Sequence, residues 1–261
     1  MSAYGELSRP TWTTTVGKLR ARSYLLPEQT SNTATRKSLT VLPLVALPSN
    51  GQDEKLHEAV LEYLSELFDA IVEEGRSYPQ EGKVGLEGFK RYFLSHDFFV
   101  GITDADCPHD SVIKGDDNRS IMMGIEREEN ITLTDLIAGR DLGSCLAGMF
   151  YIKPNYPGRS SHCCNAGFVV NHRHRGQKIG KSLAISYLYY APRLGYRSSV
   201  FNLVYTNNLA SMAIWDSLGF KRVGLIPEAG RLKVASSPDG QKSNEVHEWV
   251  DAIVYWKKFS E

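Results

Sequence analysis

A strand, a basic loop and the start of a helix follow one another between Asn165 and Lys181. The strand covers residues 165–170, and the loop after it contains Gly176 and Gly180 among four basic residues. Unpaired N–H groups at a helix N-terminus, together with the positive end of the helix dipole, bind anions. Glycine lets the backbone approach such an anion because it carries no side chain. The sequence therefore predicts an α/β unit that grips a pyrophosphate.

Hydrophobic periodicity predicts strands and helices around this unit, and together they indicate a mixed α/β layer architecture. The predicted helices are residues 56–71, 86–94, 178–194 and 209–218. The predicted strands are residues 98–102, 144–152, 165–170, 200–205, 221–226 and 249–255.

The chain reads as one domain over residues 38–261, interrupted by a polar loop insertion at about residues 104–142. Residues 1–37 form an N-terminal extension, in which residues 12–26 alternate as a strand pair would, with a turn at Gly17-Lys18. The extension contains six basic and two acidic residues, a bias shared with mitochondrial presequences. Four cysteines do not make a disulfide framework. The expected location is the cytoplasm, with the mitochondrion as the alternative.

The 74 residues from Leu142 to Trp215 contain eight basic residues and no Asp or Glu. The chain as a whole has 30 basic and 30 acidic residues, so the remainder carries a matching excess of acidic charge. A cationic segment of this length predicts a polyanionic ligand. Nucleic acid is disfavoured because the cations form no dense run with interleaved aromatic residues. The phosphates of a small cofactor fit better.

Two other ligand types fit the residues poorly. Gly176, Gly180 and Lys181 come within one residue of a triphosphate-binding loop, which requires four residues between its glycines. Cys163 and Cys164 suggest a metal, but adjacent thiols do not easily chelate one tetrahedral ion. We expect no metal.

Two ordered motifs resemble those of the GNAT acetyltransferase superfamily. Residues 175–180, RGQKIG, are similar to its acetyl-CoA motif R/Q-x-x-G-x-G/A, and residues 208–220, NLASMAIWDSLGF, to its signature N-x-x-A-x-x-x-Y-x-x-x-G-F. Further runs, such as CNAGFVVN at 164–171 and FNLVY at 201–205, resemble the fungal proline-analogue N-acetyltransferases. Those enzymes acetylate azetidine-2-carboxylate and cis-4-hydroxyproline.

The resemblance implies the GNAT fold, in which a mixed central sheet splays between the two strands that hold acetyl-CoA and has helices on both faces. It implies acetyl-CoA as co-substrate, a small cyclic imino acid as acceptor and a homodimer. Neither nucleic acid nor a membrane is expected as a partner, since the chain as a whole has no net charge to attract one. The residues expected to bind the cofactor are Phe168, Val169, Val170, Arg175, Gly176, Gln177, Lys178, Ile179, Gly180, Lys181 and Asn208.

Acetyl transfer needs a neutral amine, a polarised thioester carbonyl and a group that stabilises the departing sulfur. A backbone N–H near Phe168 or Val169 is the candidate that polarises the carbonyl. The resemblance implies Asn208 as the catalytic group at the sulfur and Asn165 on the acceptor. It also implies the N–H groups of Asn202 and Leu203 on the acceptor carboxylate. A helix N-cap is the competing interpretation of Asn208.

Two positions depart from the superfamily pattern. Lys178 occupies the usual first glycine of the loop, and Trp215 stands where many members place a tyrosine that protonates the thiolate. An indole N–H is a donor but not a useful acid, and the acid-free segment offers no carboxylate base. We therefore expect the acceptor to be deprotonated by water or buffer. Two alternatives stay open: a polyamine, arylamine or protein-lysine acceptor, or a CoA-binding module without catalysis.

Overall fold

A computed structural model describes residues 7–13, 19–26, 37–44, 51–103, 124–127, 131–234 and 246–259, the side chains of 51–53 excepted. Within these residues ten strands form one mixed sheet with helices on both faces. The strands are β1 (Arg22–Leu25), β2 (Ser38–Leu44), β3 (Asp97–Thr103), β4 (Ile125–Glu126), β5 (Leu146–Pro154), β6 (Cys163–Asn165), β7 (Phe168–Val170), β8 (Ser198–Tyr205), β9 (Lys221–Lys233) and β10 (His247–Lys258). The helices are α1 (Gly51–Glu74), α2 (Gly85–Phe93), α3 (Leu133–Ile137), α4 (Leu142–Cys145), α5 (Ile179–Arg193) and α6 (Leu209–Ser217).

The strand order is β4-β1-β2-β3-β5-β6-β8-β10-β9, and β7 pairs with β5. The one parallel pair among the described strands is β6 with β8, where Cys163 lies opposite Ser198 and Cys164 opposite Ser199. Beyond Asn165 the chain continues as β7, which stays on β5 and is not paired with β8. The sheet therefore opens between β7 and β8, and we call this opening the splay. The predicted splayed sheet with helices on both faces is confirmed.

Two hydrophobic clusters cover the two faces of the sheet. Phe150 of β5 packs in the cluster that includes α5 and α6, and Tyr151, the next residue, packs in the cluster that includes α1 and α2. Successive side chains of a strand point to opposite faces, so β5 is apolar along nearly its whole length. No helix among the described residues combines the length and apolarity needed to cross a membrane.

The connection from α1 to α2 is fixed above the splay. Gly75 follows the last residue of α1 with a φ of +64°, a conformation that glycine adopts without strain. Farther along, the hydroxyl of Tyr78 donates a hydrogen bond to the carbonyl of Phe168 in β7 at 3.0 Å. The carboxylate of Asp69 accepts the N–H of Val84 at 2.7 Å and closes the connection. This segment therefore forms one wall of the opening.

The predicted loop insertion is wrong in its second half. Residues 104–123 and 128–130 lie outside the described residues, but the remainder contains β4, α3 and α4. Thr132 caps α3 by accepting the N–H of Asp135, whose carboxylate accepts the N–H of Thr132 in return. This capping pair is present in the sequence and outweighs the polar composition.

Of the strand pair predicted at residues 12–26, the described residues contain β1, which pairs with β2 and β4. Residues 14–18, including the predicted turn, lie outside the described residues. The described part of the extension packs on the domain: the Arg9 guanidinium makes two 2.9 Å hydrogen bonds to Asp97, and Trp12 contacts Tyr196 edge to face.

Candidate active site

The loop before α5 offers a row of unused backbone donors. The N–H groups of residues 176–180 donate to no acceptor among the described residues. Gly176 and Lys178 have φ values of +79° and +63°, and these left-handed residues turn successive N–H groups towards one side. Together with the N-terminal end of the α5 dipole, they make this loop a candidate anion site.

Gly180 keeps the floor of this loop open. A Cβ built on Gly180 would lie 3.4 Å from Cδ1 of Ile214 and 3.6 Å from Cγ2 of Val170, which are ordinary contact distances. Protein packing therefore does not by itself demand glycine here. The absent side chain leaves a cradle between the loop and α6, which fits a bound phosphate chain.

The loop is less cationic than its sequence indicates. Arg175 donates to both carboxylate oxygens of Glu74 at 2.9 Å, and Arg173 lies 3.2 Å from the carboxylate of Asp141. Both acids belong to segments outside the acid-free stretch. Lys178 and Lys181 form no ion pair among the described residues. Two of the four loop cations therefore remain for a phosphate.

Two buried polar residues hold the start of the loop, and sequence reasoning did not assign either role. Nδ2 of Asn171 donates to the carbonyl of Leu146 at 2.8 Å, and Oδ1 of Asn171 accepts the N–H of Arg173 at 3.1 Å. His174 lies 3.2 Å from the carbonyl of Gly143, and burial lowers its pKa. His174 is thus a buried anchor of the loop.

The two N–H candidates for the acetyl carbonyl point in opposite directions. The backbone N–H of Asn171 donates to the carbonyl of Ala147 in β5 at 2.9 Å. This bond shows which residues of β7 point their N–H groups towards β5. Alternation along an antiparallel pair then turns the N–H of Val169 towards β5 and the N–H of Phe168 towards the splay. Phe168 is therefore the donor that faces the opening, and the same alternation turns the N–H of Val170 that way.

The opposite edge of the splay carries a β-bulge. The register of β8 against β10 shifts between Phe201 and Val204, so Asn202 and Leu203 together lie opposite one residue, Val254. A bulge takes successive residues out of the regular ladder and re-aims their groups. Leu203 is 40% exposed. The two residues that the resemblance implies for carboxylate binding therefore lie at the irregular point of the strand.

Asn155 links Asn165 to Asn202, and sequence reasoning missed it. Its Oδ1 accepts Nδ2 of Asn165 at 2.9 Å and Nδ2 of Asn202 at 2.7 Å, while its own Nδ2 donates to Oδ1 of Asn202 at 3.2 Å. Asn155 is 6% exposed. The amide of Asn165 is left with its Oδ1 without a partner among the described residues. The arrangement thus leaves one acceptor atom for a ligand.

Asn208 caps α6 with one end of its amide. Its Oδ1 accepts the N–H of Ser211 at 3.1 Å, which is the N-cap geometry. Its Nδ2 has no acceptor among the described residues. The cap and a role towards a ligand therefore use different atoms of one side chain.

Trp215 is a core residue at the base of the splay. It is 5% exposed, and its ring lies 5.2 Å from that of Phe168 and 4.4 Å from that of Phe201. Its indole N–H donates to Oγ of Ser211 at 3.0 Å. Trp215 therefore joins the strands across the opening and has no free proton to give to a thiolate.

Tyrosines line the face of the splay below α1 and α2. A Cβ on Gly167 would lie 2.7 Å from Cε1 of Tyr151 and 2.9 Å from the hydroxyl of Tyr78. Tyr151 also lies 3.1 Å, oxygen to oxygen, from Tyr92. Burial raises the pKa of Tyr78 and Tyr151 well above the ordinary value, so neither hydroxyl is a base.

The adjacent cysteines bond to hydroxyl groups. Sγ of Cys163 lies 2.9 Å from Oγ of Ser198, and Sγ of Cys164 lies 3.0 Å from the hydroxyl of Tyr187. Burial raises the pKa of the Cys164 thiol. In the part of the chain that the structure describes, no group of three His, Cys, Asp or Glu side chains is placed to hold a metal.

The chain is similar in sequence to a known protein family and to two curated proteins. Residues 105–220 match the family model "Acetyltransferase (GNAT) family". The chain is 37% identical over 205 residues to N-acetyltransferase aca1 of Schizosaccharomyces pombe, an alignment that spans 78% of this chain and 83% of that protein. It is 31% identical over 237 residues to Protein SPT10 of Saccharomyces cerevisiae, over 85% of this chain but 34% of that longer protein.

Among solved structures, the phosphinothricin acetyltransferase of Sinorhizobium meliloti in complex with AcCoA has a TM-score of 0.56 at 15% identity. The match covers 85% of this chain and 89% of that one. At that identity the likeness concerns the fold.

Proposed function

Because this chain belongs to the GNAT family of acetyltransferases and is an acetyl-CoA-dependent N-acetyltransferase, we propose that its acceptor is a small cyclic imino acid such as azetidine-2-carboxylate or cis-4-hydroxyproline. The observation that carries this proposal is the hydrogen-bonded group of Asn155, Asn165 and Asn202 beside the splay. Asn165 and Asn202 also lie in the runs that resemble the proline-analogue acetyltransferases.

The loop and the N-terminus of α5 bind the donor. Bound acetyl-CoA supplies a thioester whose acetyl carbon an amine can attack. The N–H groups of residues 176–180 hold the pyrophosphate, with Lys178 and Lys181 as the nearby cations. Arg175 takes part through the fold of the loop, since its guanidinium is bound to Glu74.

Two donors stabilise the charge that develops during transfer. The N–H of Phe168 donates to the acetyl oxygen as it gains negative charge. Nδ2 of Asn208 donates to the departing sulfur and leaves Oδ1 on the helix cap. Val169 and Val170 continue the strand edge along which the donor lies.

The acceptor lies on the asparagine side of the splay. Oδ1 of Asn165 accepts a hydrogen bond from the amine N–H of the imino acid. The backbone N–H groups of Asn202 and Leu203 donate hydrogen bonds to the carboxylate of the imino acid. A proline-like amine is mostly protonated at neutral pH and reacts only in its neutral form. One proton of the ammonium form leaves to water before attack, since the buried tyrosines of the opening do not ionise near pH 7. The proton that stays on the nitrogen leaves to water or to the CoA thiolate as the C–N bond forms and the C–S bond breaks.

We also propose a homodimer in the cytoplasm. β9 is an edge strand with exposed Val223 and Leu225, and Trp249 on the neighbouring β10 is 64% exposed. An apolar sheet edge of this kind favours a second copy as its cover. The free thiols of Cys145, Cys163 and Cys164 suit a reducing compartment.

CoA release from purified protein tests the acceptor class. We expect turnover of azetidine-2-carboxylate and cis-4-hydroxyproline to exceed turnover of spermidine, an arylamine and a lysine peptide at equal concentration. Calorimetric titration with CoA in parallel reports donor binding by itself. CoA binding with turnover confined to polyamines or peptides contradicts the proposed acceptor, and CoA binding with no turnover of any amine indicates a binding module.

A further inference from the structure

Lys153 lies at the acceptor side of the splay, and the steps above do not use it. It is in β5, directly opposite Asn165 of β6. Tyr151, two residues earlier, packs towards α1 and α2, and alternation along the strand places Lys153 on that same face. Its Nζ lies 4.2 Å from the ring centroid of Tyr151 and 4.3 Å from that of Tyr92. The ammonium group is therefore held against two aromatic faces beside the asparagine group.

The Lys153 ammonium has no carboxylate partner among the described residues. Burial lowers its pKa from the usual 10.5 to about 8. At that pKa roughly nine tenths of the side chains still carry a charge at pH 7, and the two ring faces favour the charged form. A half-buried cation without a counter-ion is costly, and an anion that binds beside it removes part of that cost.

We propose that Lys153 is the counter-ion of the acceptor carboxylate and makes the site select anionic acceptors over cationic ones. This inference rests on the proposed function, since it concerns the same acceptor site. A carboxylate has two oxygens and about four acceptor positions, so it can accept from the Asn202 and Leu203 N–H groups and from an ammonium together. Asn165 lies between these two sources of donors, on the strand that separates β5 from β8.

The same charge disfavours polyamine and protein-lysine acceptors. A second ammonium brought beside Lys153 would meet like charge in a partly desolvated site. Other groups near Lys153 do not offset its charge. Burial, and then the charges of Arg9 and Lys153, lower the pKa of His96 to about 4, so the imidazole ring is neutral at pH 7. Arg9 is bound to Asp97. Tyr92 and Tyr151 present their ring faces.

Paired acceptors with and without the charge test the role of Lys153. We compare kcat/KM for azetidine-2-carboxylate and for its uncharged carboxamide in the wild type, Lys153→Met and Lys153→Arg. Loss of a charged hydrogen-bond partner lowers binding about 10- to 100-fold. We expect Lys153→Met to lose that factor on the carboxylate only, through KM, and Lys153→Arg to stay within a few-fold of the wild type on both.

Two outcomes overturn the inference. An equal loss on both acceptors in Lys153→Met indicates a structural role, which thermal unfolding and CoA titration identify. A loss of kcat in both Lys153→Met and Lys153→Arg with unchanged KM indicates a proton acceptor instead. A wild-type protein that acetylates only polyamines refutes the proposed function. The wild-type substrate panel is therefore measured before any Lys153 variant is made.

An inhibitor without an amine gives a measurement that needs no folded Lys153→Met protein. Tetrahydrofuran-2-carboxylate keeps the ring and the carboxylate but has no titrating nitrogen. We expect its inhibition constant in the wild type to rise above pH 8 by about 10- to 100-fold in all, as the ammonium loses its proton. In Lys153→Arg the constant should stay flat over the same range. A flat profile in the wild type contradicts the inference, and so does an equal rise in Lys153→Arg.

Discussion

The two ends of the Asn208 amide can be separated by substitution. Oδ1 caps α6 through Ser211, and Nδ2 is the donor proposed for the departing sulfur. Serine is also a good N-cap residue, but its shorter side chain has no amide nitrogen. Asn208→Ser should therefore keep the cap and lose the donor, whereas Asn208→Ala should lose both.

The expected magnitudes differ for the two functions. A hydrogen bond to a charged sulfur contributes about 1.5–3 kcal/mol, so kcat should fall about 10- to 100-fold in both variants. Loss of the cap costs about 1 kcal/mol, which for a chain of this size lowers Tm by about 2–4 °C. We expect that shift in Asn208→Ala alone.

CoA release at saturating substrate gives kcat, and differential scanning calorimetry gives Tm. If Asn208→Ser turns over like the wild type, the amide does not act on the sulfur and Asn208 is a cap only. If Asn208→Ala keeps the wild-type Tm, the observed cap contributes nothing measurable. Calorimetric titration with CoA serves as the control, since the residue 176–180 loop is unchanged in both variants.

Three further substitutions test other parts of the site. Asn155→Ala removes the shared hydrogen-bond partner of Asn165 and Asn202, so the side-chain amides of both residues lose their orientation. Steady-state kinetics should then show a KM for the imino acid that is about tenfold higher. An unchanged KM contradicts the linking role of Asn155. Lys178→Gly removes the conformational strain of a non-glycine residue in the left-handed region, which is about 1–2 kcal/mol. It adds the larger loss of backbone entropy that glycine suffers on folding, which is about 0.5–1 kcal/mol. Calorimetry should then show a slightly higher Tm, and a lower one refutes the strain argument. Gly167→Ala puts a methyl group within 3 Å of two tyrosine side chains, so turnover should fall at least tenfold while titrated CoA affinity stays within about twofold; unchanged turnover means that the tyrosine wall is not part of the site.

Local signals predicted the elements around the loop well. The predicted helices at 178–194 and 209–218 are observed at Ile179–Arg193 and Leu209–Ser217, because their apolar periodicity is strong and Asn208 marks a start. The strand predicted at 165–170 is observed as two pieces with different partners. Its break depends on which strands pair, and that information is not local. The splay was predicted only through family resemblance.

The parts of the site that sequence reasoning missed depend on distant contacts. Asn155 follows Pro154 and has the pattern of a turn, yet it is a buried hub because β6 and β8 bring two asparagines to it. Charge counting along the chain predicted four loop cations, but Glu74 and Asp141 neutralise two of them from other elements. Lys153 has the pattern of an ordinary strand-end lysine until the two tyrosine rings are placed beside it.

The short contact between β6 and β8 gives the sheet an edge in its interior. Backbone N–H groups along such an edge can donate hydrogen bonds as those of an outer edge strand do. In other proteins, edge strands of this kind pair with strands of another chain. Here Trp215 packs against rings from both sides of the opening, Phe168 of β7 and Phe201 of β8. Pairing that continued two residues beyond Cys164 and Ser199 would close the splay, so the point at which this pairing stops keeps the opening in the sheet.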